Sequence, residues 1–402
     1  MRYTHISSII KEVYAFKGYR IARIFLTENE LRILLEKTRK TGLCPSCGKR
    51  CRKIESSYER TIRDLDFVDR TTYVVLKEFK ISCSCRYRGI EKLDFLDRYS
   101  FYTLRFEEDV FRLCDQMSLK HVAQRTKLDW KTAKSIDKKY LRKEVVPLKE
   151  SSPINMGVDE IAYQKGHQYL TVVRDVDARR VIWIGEARKK ETLDRFFSEL
   201  GPEKSRKIRK AVMDMWDPYI ASVRENCPDA DIIFDRFHIS KKVNEALDSI
   251  RRTEFAKAPK AERKGMKKKR FLILSRQERL NPEQKESLED LKSVNDRLYS
   301  AYLLKEQVLN IFDESNPASA WVRLGKWTAN VQRSGIKAYE NVVKTMKTYW
   351  YGIVNYFRFK LTNAASEGFN NKINVIKRRA YGYRDLEYFR LKILHTCGWR
   401  SS

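Results

Sequence analysis

The stretch Ile154-Asn155-Met156-Gly157-Val158-Asp159-Glu160-Ile161-Ala162-Tyr163, followed by Tyr169-Leu170-Thr171-Val172-Val173-Arg174-Asp175, decides the fold of the larger part of this chain. Both runs are short and apolar and read as strands. The second leads through the polar turn Asp175-Val176-Asp177-Ala178-Arg179 into a third strand, Val181-Ile182-Trp183-Ile184. The period then changes: Leu193, Phe196, Phe197 and Leu200 recur at helical spacing, and Gly201-Pro202 stops that helix. Ala211-Val212-Met213 reads as a fourth strand, a helix follows from about Pro218, and Ile232-Ile233-Phe234 is a buried-type fifth strand. Three strands, helix, strand, helix, strand predicts a mixed sheet with helices on its faces. Open sheets of this kind build sites at strand ends. Asp159 lies on the first strand, and Asp214 directly follows the fourth.

Working outward, residues 1–95 read as β-rich. Ile24 and Leu26 alternate with polar neighbours, as do Leu31, Ile33 and Leu35, and Thr27-Glu28-Asn29-Glu30 between them predicts a hairpin. Tyr73, Val75, Lys77, Phe79 and Ile81 form another alternating run that enters Cys83. From about 103 to 147 the period is helical: Phe106, Val110, Phe111 and Leu113 fit one helix, and Ser118 and Asp129 are N-caps for two more. Pro147 and Ser151-Ser152-Pro153 read as a linker. Downstream, about 250–350 is helical and very basic and carries Arg263-Lys264-Gly265-Met266-Lys267-Lys268-Lys269-Arg270. Asn363 to Arg379 reads as a further helix, followed by a short tail, and no internal repeat is visible.

The 402 residues carry 83 Lys and Arg against 53 Asp and Glu, a net charge of +30 that is spread along most of the chain. With 42% hydrophobic and 12% aromatic residues this is not a disordered chain. A polycation of this size attracts polyanions, and nucleic acid is the first partner to expect, because neutralised phosphates release counterions. No run approaches the roughly 18 apolar residues of a membrane span. The start Met1-Arg2-Tyr3-Thr4-His5 has no secretory apolar region, so a cytoplasmic location is expected. Of the eight cysteines, Cys44, Cys47, Cys51, Cys83 and Cys85 cluster, which in a reducing compartment reads as metal ligation. Cys44-Pro45-Ser46-Cys47-Gly48 is a zinc knuckle, and Cys83-Ser84-Cys85 is its expected partner pair. Ser118 to Arg142 reads as a helix-turn-helix with Trp130 to Lys139 in the major groove. Trp130, Lys131, Thr132, Lys134 and Lys138 are its candidate DNA contacts. The Lys267 to Arg270 run is either a phosphate-contacting patch or a solvated loop, and carries no sequence specificity in either case.

Two strand-borne aspartates joined by a carboxylate from a later helix would suit Mg²⁺ or Mn²⁺, hard cations that take oxygen ligands. Two such ions, about 3.5–4 Å apart, activate the attacking oxygen and stabilise the leaving one in phosphoryl transfer. The words around these residues resemble a known family. They are Gly157-Val158-Asp159-Glu160, Asp214-Met215-Trp216-Asp217-Pro218-Tyr219, Asp235-Arg236-Phe237-His238, and Thr362-Asn363-Ala364-Ala365-Ser366-Glu367-Gly368-Phe369-Asn370-Asn371-Lys372-Ile373 running on to Lys377-Arg378-Arg379-Ala380-Tyr381-Gly382-Tyr383. In this order they resemble the bacterial insertion-sequence transposases of the DDE class called the ISL-three family. With the cysteines and the helix-turn-helix, the resemblance covers nearly the whole chain.

The resemblance implies a multidomain α+β protein. Its parts would be a β-rich zinc-binding DNA-recognition module over 1–95, a helix-turn-helix over 96–150, a ribonuclease-H-like mixed α/β core in two pieces, 151–250 and 351–402, and a basic helical insertion over 251–350. It implies a catalytic, Mg²⁺- or Mn²⁺-binding triad of Asp159, Asp214 and Glu367, with Glu367 delivered by the C-terminal helix. Asp235 and His238 have a D-x-x-H spacing found after the second aspartate in several transposase families; His238 either supports the fold or positions DNA near the cut. Trp216 either packs in the core or stacks on an unpaired base. The zinc site departs from the family, which spaces its second cysteine pair more widely, so either Cys85 or Cys51 completes a set with Cys44, Cys47 and Cys83. The implied activity is binding of terminal inverted repeats in double-stranded DNA, metal-dependent hydrolysis that frees a 3′-hydroxyl, and strand transfer into target DNA. A homodimer or larger synaptic assembly, nucleoid-associated in a bacterial cytoplasm, is implied with it. The rival readings are a non-catalytic DNA-binding regulator or domesticated transposase, and a nuclease that cuts without joining.

Overall fold

A computed structural model describes residues 14, 16–164, 166, 168–362 and 364–398. The N-terminal leader reading, the Asn363 start of the last motif and the terminal residues 399–402 lie outside them. The chain divides into two compact units that break between Lys143 and Glu144.

In the first unit, β1 (Tyr19–Leu26) and β2 (Glu30–Lys37) form the expected antiparallel hairpin. The Thr27 hydroxyl accepts from the Glu30 N–H at 3.0 Å to close its turn. Leu31, Ile33 and Leu35 all point into the core, as their alternation predicts. Two short strands, β3 (Gly42–Leu43) and β4 (Arg50–Cys51), pair with each other and frame the first cysteine knuckle. The long pair β5 (Ile54–Phe67) and β6 (Arg70–Ser82) follows, with β7 (Arg88–Ile90) on the far end of β6. The sheet order is β1-β2-β6-β5, with β2 and β6 parallel. Strand β5 escapes the sequence reading because its first half, Ser56 to Arg60, faces solvent with polar side chains, and only Ile62 and its neighbours turn inward.

Helices α1 (Leu104–Gln116), α2 (Leu119–Thr126) and α3 (Trp130–Glu144) complete this unit. Ser118 caps α2 by accepting from the His121 N–H, and Asp129 accepts from the Lys131 N–H at 2.8 Å at the start of α3. Lys127, left-handed at φ +54°, turns the chain between α2 and α3. Val122, Ala133, Ile136 and Leu141 bury the shared face.

In the second unit, β8 (Asn155–Gln164), β9 (Gln168–Asp175), β10 (Arg180–Glu186), β11 (Lys210–Met213) and β12 (Asp231–Phe234) form a sheet of order β10-β9-β8-β11-β12. The first three strands run antiparallel; β11 lies parallel to both β8 and β12. Helices α4 (Lys190–Leu200), α5 (Pro202–Ser205) and α6 (Asp217–Asn226) interleave with the strands. The core contributed by Met156, Val158, Val173, Phe196 and Val223 lies on one face. Ile161, Leu170, Val172 and Ile184 form a second core with residues of the C-terminal helices on the other.

A long helical region follows: α7 (Arg236–Lys257), α8 (Lys260–Met266), α9 (Arg270–Leu274), α10 (Pro282–Val294), α11 (Asp296–Phe312), α12 (Pro317–Ser334), α13 (Lys337–Thr348) and α14 (Trp350–Phe359). It starts at Arg236, directly after β12, so a boundary near 250 cuts through α7; the helix is continuous because Ile239, Val243, Leu247 and Ile250 keep one buried stripe. Helix α14 returns to the sheet: Gly352 sits so close to Phe234 that an added Cβ would lie 2.4 Å from the ring. Helices α15 (Ala364–Arg379) and α16 (Leu386–Cys397) end the unit. The expected tail after Arg379 is therefore a second helix. Asp385 caps it by accepting from the Tyr388 N–H, and Phe389, Ile393 and Cys397 bury its stripe.

Candidate active site

The parallel register of β8 and β11 pairs Val212 with Gly157, and that of β11 and β12 pairs Met213 with Phe234. Continued by one or two residues, these registers bring Asp159, Asp214 and Asp235 level with one another across neighbouring strands. In-register residues of parallel strands point to the same face. For Asp159 that face is the one covered by α15, whose Asn370 amide donates to Asp159 Oδ2 at 2.9 Å; Asp159 Oδ1 accepts from the Glu160 N–H at 2.7 Å. Glu367 lies on α15 one turn before Asn370 and is exposed. Residues three apart share a side of a helix, so Glu367 and Asn370 project from the same side of α15.

His238 and Arg174 act on the acidic row. Asp235 caps α7 by accepting from the Phe237 N–H at 2.9 Å. One turn into that helix, His238 Nε2 lies 2.5 Å from Asp214 Oδ1, an ion-pair distance without hydrogen-bond alignment. Burial pushes the Asp214 carboxyl above the ordinary aspartate range; His238 pulls it down, and the charges of Asp159 and Asp235 add to the rise. Burial disfavours the charged His238, but Asp214, Asp235 and Asp159 outweigh it, and its pKa is raised. Arg174, buried in β9, carries its guanidinium 5.6 Å from the Phe369 ring of α15; burial lowers its pKa while Asp159 and Asp235 oppose the drop.

Beside the row, Glu160 pairs with Arg188 at 2.7 Å. The Arg188 guanidinium lies 4.6 Å from the Trp216 ring and 4.5 Å from the Tyr169 ring, and the Trp216 indole N–H donates to the Arg188 carbonyl at 3.2 Å. Trp216 is thus half-buried and covered by a cation. Burial raises the Glu160 carboxyl as well, against Arg188 and with help from Asp214 and Asp159.

Sequence reasoning assigned nothing to Arg174, Asn370 or Arg188. A lone arginine directly after the run Leu170 to Val173, still within strand β9, is a signal for the first, since a buried cation needs a partner. Asn370 stands one turn after Glu367 in the quoted motif, a spacing that puts both on one helix side. Arg188 carries no local signal.

In the first unit, Cys44, Cys47, Cys83 and Cys85 bring their sulfurs within 4.8 Å of one another. Sγ separations are 3.6 Å for Cys44 and Cys85 and 3.5 Å for Cys47 and Cys83. A tetrahedral zinc with bonds of about 2.3 Å needs its sulfurs close to this far apart, so the set fits the ion. The thiols share their protons: the Cys85 backbone N–H leads the groups that draw Cys83 down to about 6, while, against the Lys49 backbone, burial and the other cysteines push Cys47 up to about 12. Cys51 is buried nearby, with its thiol 3.7 Å from the Lys49 carbonyl. The cysteines are the one group of three or more close metal-ligating side chains among the described residues; the carboxylates stand farther apart. On α3, Trp130 and Lys131 are exposed, while Thr132, Lys134 and Lys138 are half-buried.

A family of transposases matches residues 156–393, which holds both aspartates and α15. The chain belongs to the ISL3 transposase family. The helix-turn-helix domain of transposase family ISL3 matches residues 91–141 of this transposase, and the zinc finger of the IS204, IS1001, IS1096 and IS1165 transposases matches 40–85, a span that includes both cysteine pairs. The transposase for insertion sequence element IS1001 of Bordetella parapertussis is 33% identical over 392 residues, covering 96% of this chain and 97% of the relative. That for IS1557 of Mycobacterium tuberculosis is 26% identical over 382 residues, covering 88% and 86%. This chain is accordingly an insertion-sequence transposase with a zinc ribbon and a helix-turn-helix for DNA. Among the described residues no helix is long and apolar enough to cross a membrane.

Proposed function

We propose that this transposase cuts and joins DNA at Asp159, Asp214 and Glu367, on a ribonuclease-H-like core interrupted by the helices between β12 and α15. The observation that carries the reading is the acidic row across β8, β11 and β12 beneath the helix bearing Glu367. The sheet order, antiparallel on one side and parallel on the other with helices on both faces, supports the core assignment. Asp159 and Asp214 would hold Mg²⁺ or Mn²⁺, and Glu367, exposed on α15, would close on the same ions. The ions supply activation of the attacking oxygen and stabilisation of the leaving one. The protein's own residues keep the row usable before that. His238 and Arg174 temper its repulsion, and Asn370 holds Asp159 Oδ2 in a fixed orientation. Asp235 and His238 act as positioning residues for Asp214. Trp216, already covered by Arg188, fixes that arginine against Glu160 and does not stack on an unpaired base.

Around this core the proposed domains are the zinc module of 1–95, the helix-turn-helix of 96–150, the core pieces 151–250 and 351–402, and the helical insertion of 251–350, whose first helix, α7, already begins at Arg236. Zinc on Cys44, Cys47, Cys83 and Cys85 holds the ribbon. Trp130, Lys131, Thr132, Lys134 and Lys138 of α3 read the terminal inverted repeats. Two element ends must be handled together, which calls for a dimer or larger synaptic assembly, at the nucleoid of a bacterial cytoplasm. The test is an end-cleavage and strand-transfer assay on terminal-repeat duplex with Mg²⁺ or Mn²⁺. Metal-dependent nicking and joining, lost in Asp159→Ala and Glu367→Ala, is the expected result. Tight binding without cleavage in any metal would make the chain a DNA-binding descendant, and nicking without joined products a nuclease.

A further inference from the structure

Between the zinc ribbon and α1 the chain makes a small hairpin closed by a bridge of Leu96 with Thr103. Its tip is a turn in which the Ser100 N–H donates to the Asp97 carbonyl at 3.0 Å, with Tyr99 at the third position at φ +64°. That position favours glycine or asparagine, because a Cβ crowds the backbone there. Strain of this kind is offset when the side chain is buried. The Tyr99 ring instead is 63% exposed, and Phe101, two residues on, is 67% exposed. Each ring has a guanidinium beside it: Arg98 at 4.9 Å from Tyr99, and Arg60 at 5.6 Å from Phe101. The turn is also rigid. Ser100 Oγ lies 2.9 Å from Glu107 Oε1, the Phe101 carbonyl accepts from the Arg63 N–H at 2.8 Å, and Arg60 donates to the Ser100 carbonyl.

A strained, rigid, solvent-facing display of two aromatics and a cation is built to meet something. Its place says what. The turn forms one wall of a cleft of about 380 Å³ whose other wall is Thr132, Ser135 and Lys139 of α3. Lys139 neutralises the acids there by pairing with Asp97 and Glu107. Arg98 is exposed and forms no ion pair among the described residues, so the tip carries a positive charge.

We propose that the Arg98–Phe101 turn is a second DNA-contacting element, seated on the sugar–phosphate backbone of the duplex that α3 enters. Arg98 meets a phosphate, and the rings of Tyr99 and Phe101 lie against deoxyribose. The proposal rests on the reading of α3 as the recognition helix.

The experiment measures affinity of the full-length, zinc-loaded protein for a terminal-repeat duplex by fluorescence anisotropy over a salt series, with thermal unfolding alongside. Arg98→Ala is expected to weaken binding about tenfold and lower the salt slope by about one, the signature of one lost phosphate contact. Tyr99→Gly is expected to raise Tm, since it removes the strain, and still weaken binding about fivefold with an unchanged slope. Opposite signs for stability and affinity separate a DNA contact from misfolding. Lys131→Ala with Lys134→Ala tests the helix. If that variant loses binding while Arg98→Ala and Tyr99→Gly stay within twofold of wild type, the turn is no contact and the proposal falls alone. If the helix variant also binds like wild type, the recognition-helix reading fails and takes the proposal with it.

Discussion

Four buried carboxylates of the first unit and the acidic row of the second are held in different ways. In the first, Asp64, Glu78, Glu91 and Glu107 are each fully engaged. Asp64 accepts from the Thr103 hydroxyl at 2.6 Å, Arg105 Nε at 2.8 Å and the Leu65 N–H at 2.9 Å. Glu78 takes Tyr58 and Arg60, Glu91 takes Lys37 and the Phe79 N–H, and Glu107 takes Lys139 and Ser100. In the second unit Asp159, Asp214 and Asp235 stand side by side, Arg174 and His238 act on them, and the Asp214 carboxyl is pushed upward by its own burial and by its neighbours. A carboxylate that only holds structure is satisfied by protein groups. Carboxylates drawn together in one row repel one another and gain from a divalent ion.

The contrast is broken most directly by deleting one acid from each side. Asp214→Asn is expected to lower metal-dependent end cleavage about a thousandfold or more while terminal-repeat affinity stays within a few fold; equal loss of binding would make Asp214 structural. Removing the zinc attacks the first unit at its other anchor. Cys44→Ser is expected to reduce bound zinc from one equivalent to none and to abolish repeat binding, because structural zinc in zinc-finger peptides contributes on the order of 10 kcal/mol to folding. Retention of zinc in that variant, measured by atomic absorption, would point to Cys51 as a replacement ligand. Asp64→Asn weakens the bonds of a fully buried carboxylate to half-buried Arg105 and is expected to cost about 1–3 kcal/mol in denaturant unfolding.

The smallest effect is the most diagnostic, because its sign is reversed. A carboxyl whose folded pKa is raised costs stability wherever it is ionised, and that cost disappears as pH falls below its unfolded pKa. His238, also raised, stabilises the protein while it is protonated and stops doing so as pH rises through its folded pKa. Asp214 is therefore least compensated at alkaline pH. Without metal, Asp214→Asn is expected to raise Tm by about 2–4 °C at pH 8.5 and by less at pH 5. A lower Tm at both values would put Asp214 among the satisfied acids of the first unit.

The strands of the second unit are legible because fully buried strands are continuous apolar runs, and Ile232-Ile233-Phe234 and Ala211-Val212-Met213 are short, apolar and bounded by polar residues. Strand β5 was not legible, since half of it faces water and its pairing with β6 comes from the partner's hydrogen bonds. Helix α16 reads as tail in the sequence because Glu387, Arg390 and Lys392 hide a stripe that only packing against β10 reveals. The cysteine pairs were readable as metal ligands, but the choice of Cys85 over Cys51 depends on where β6 and β7 carry Cys83 and Cys85 relative to the first knuckle.

By itself the sequence determined the periodicities, and through them the elements, the net charge and the partner class. It also determined which short words recur in transposases, since these are properties of neighbours along the chain. Only the tertiary structure decided that Asp159, Asp214 and Asp235 stand in one row, that Arg174 and Asn370 face it, and that a strained tyrosine at position 99 points into solvent. Those facts come from strand register and helix docking, which are set by contacts between segments far apart in the chain, and no local pattern records them.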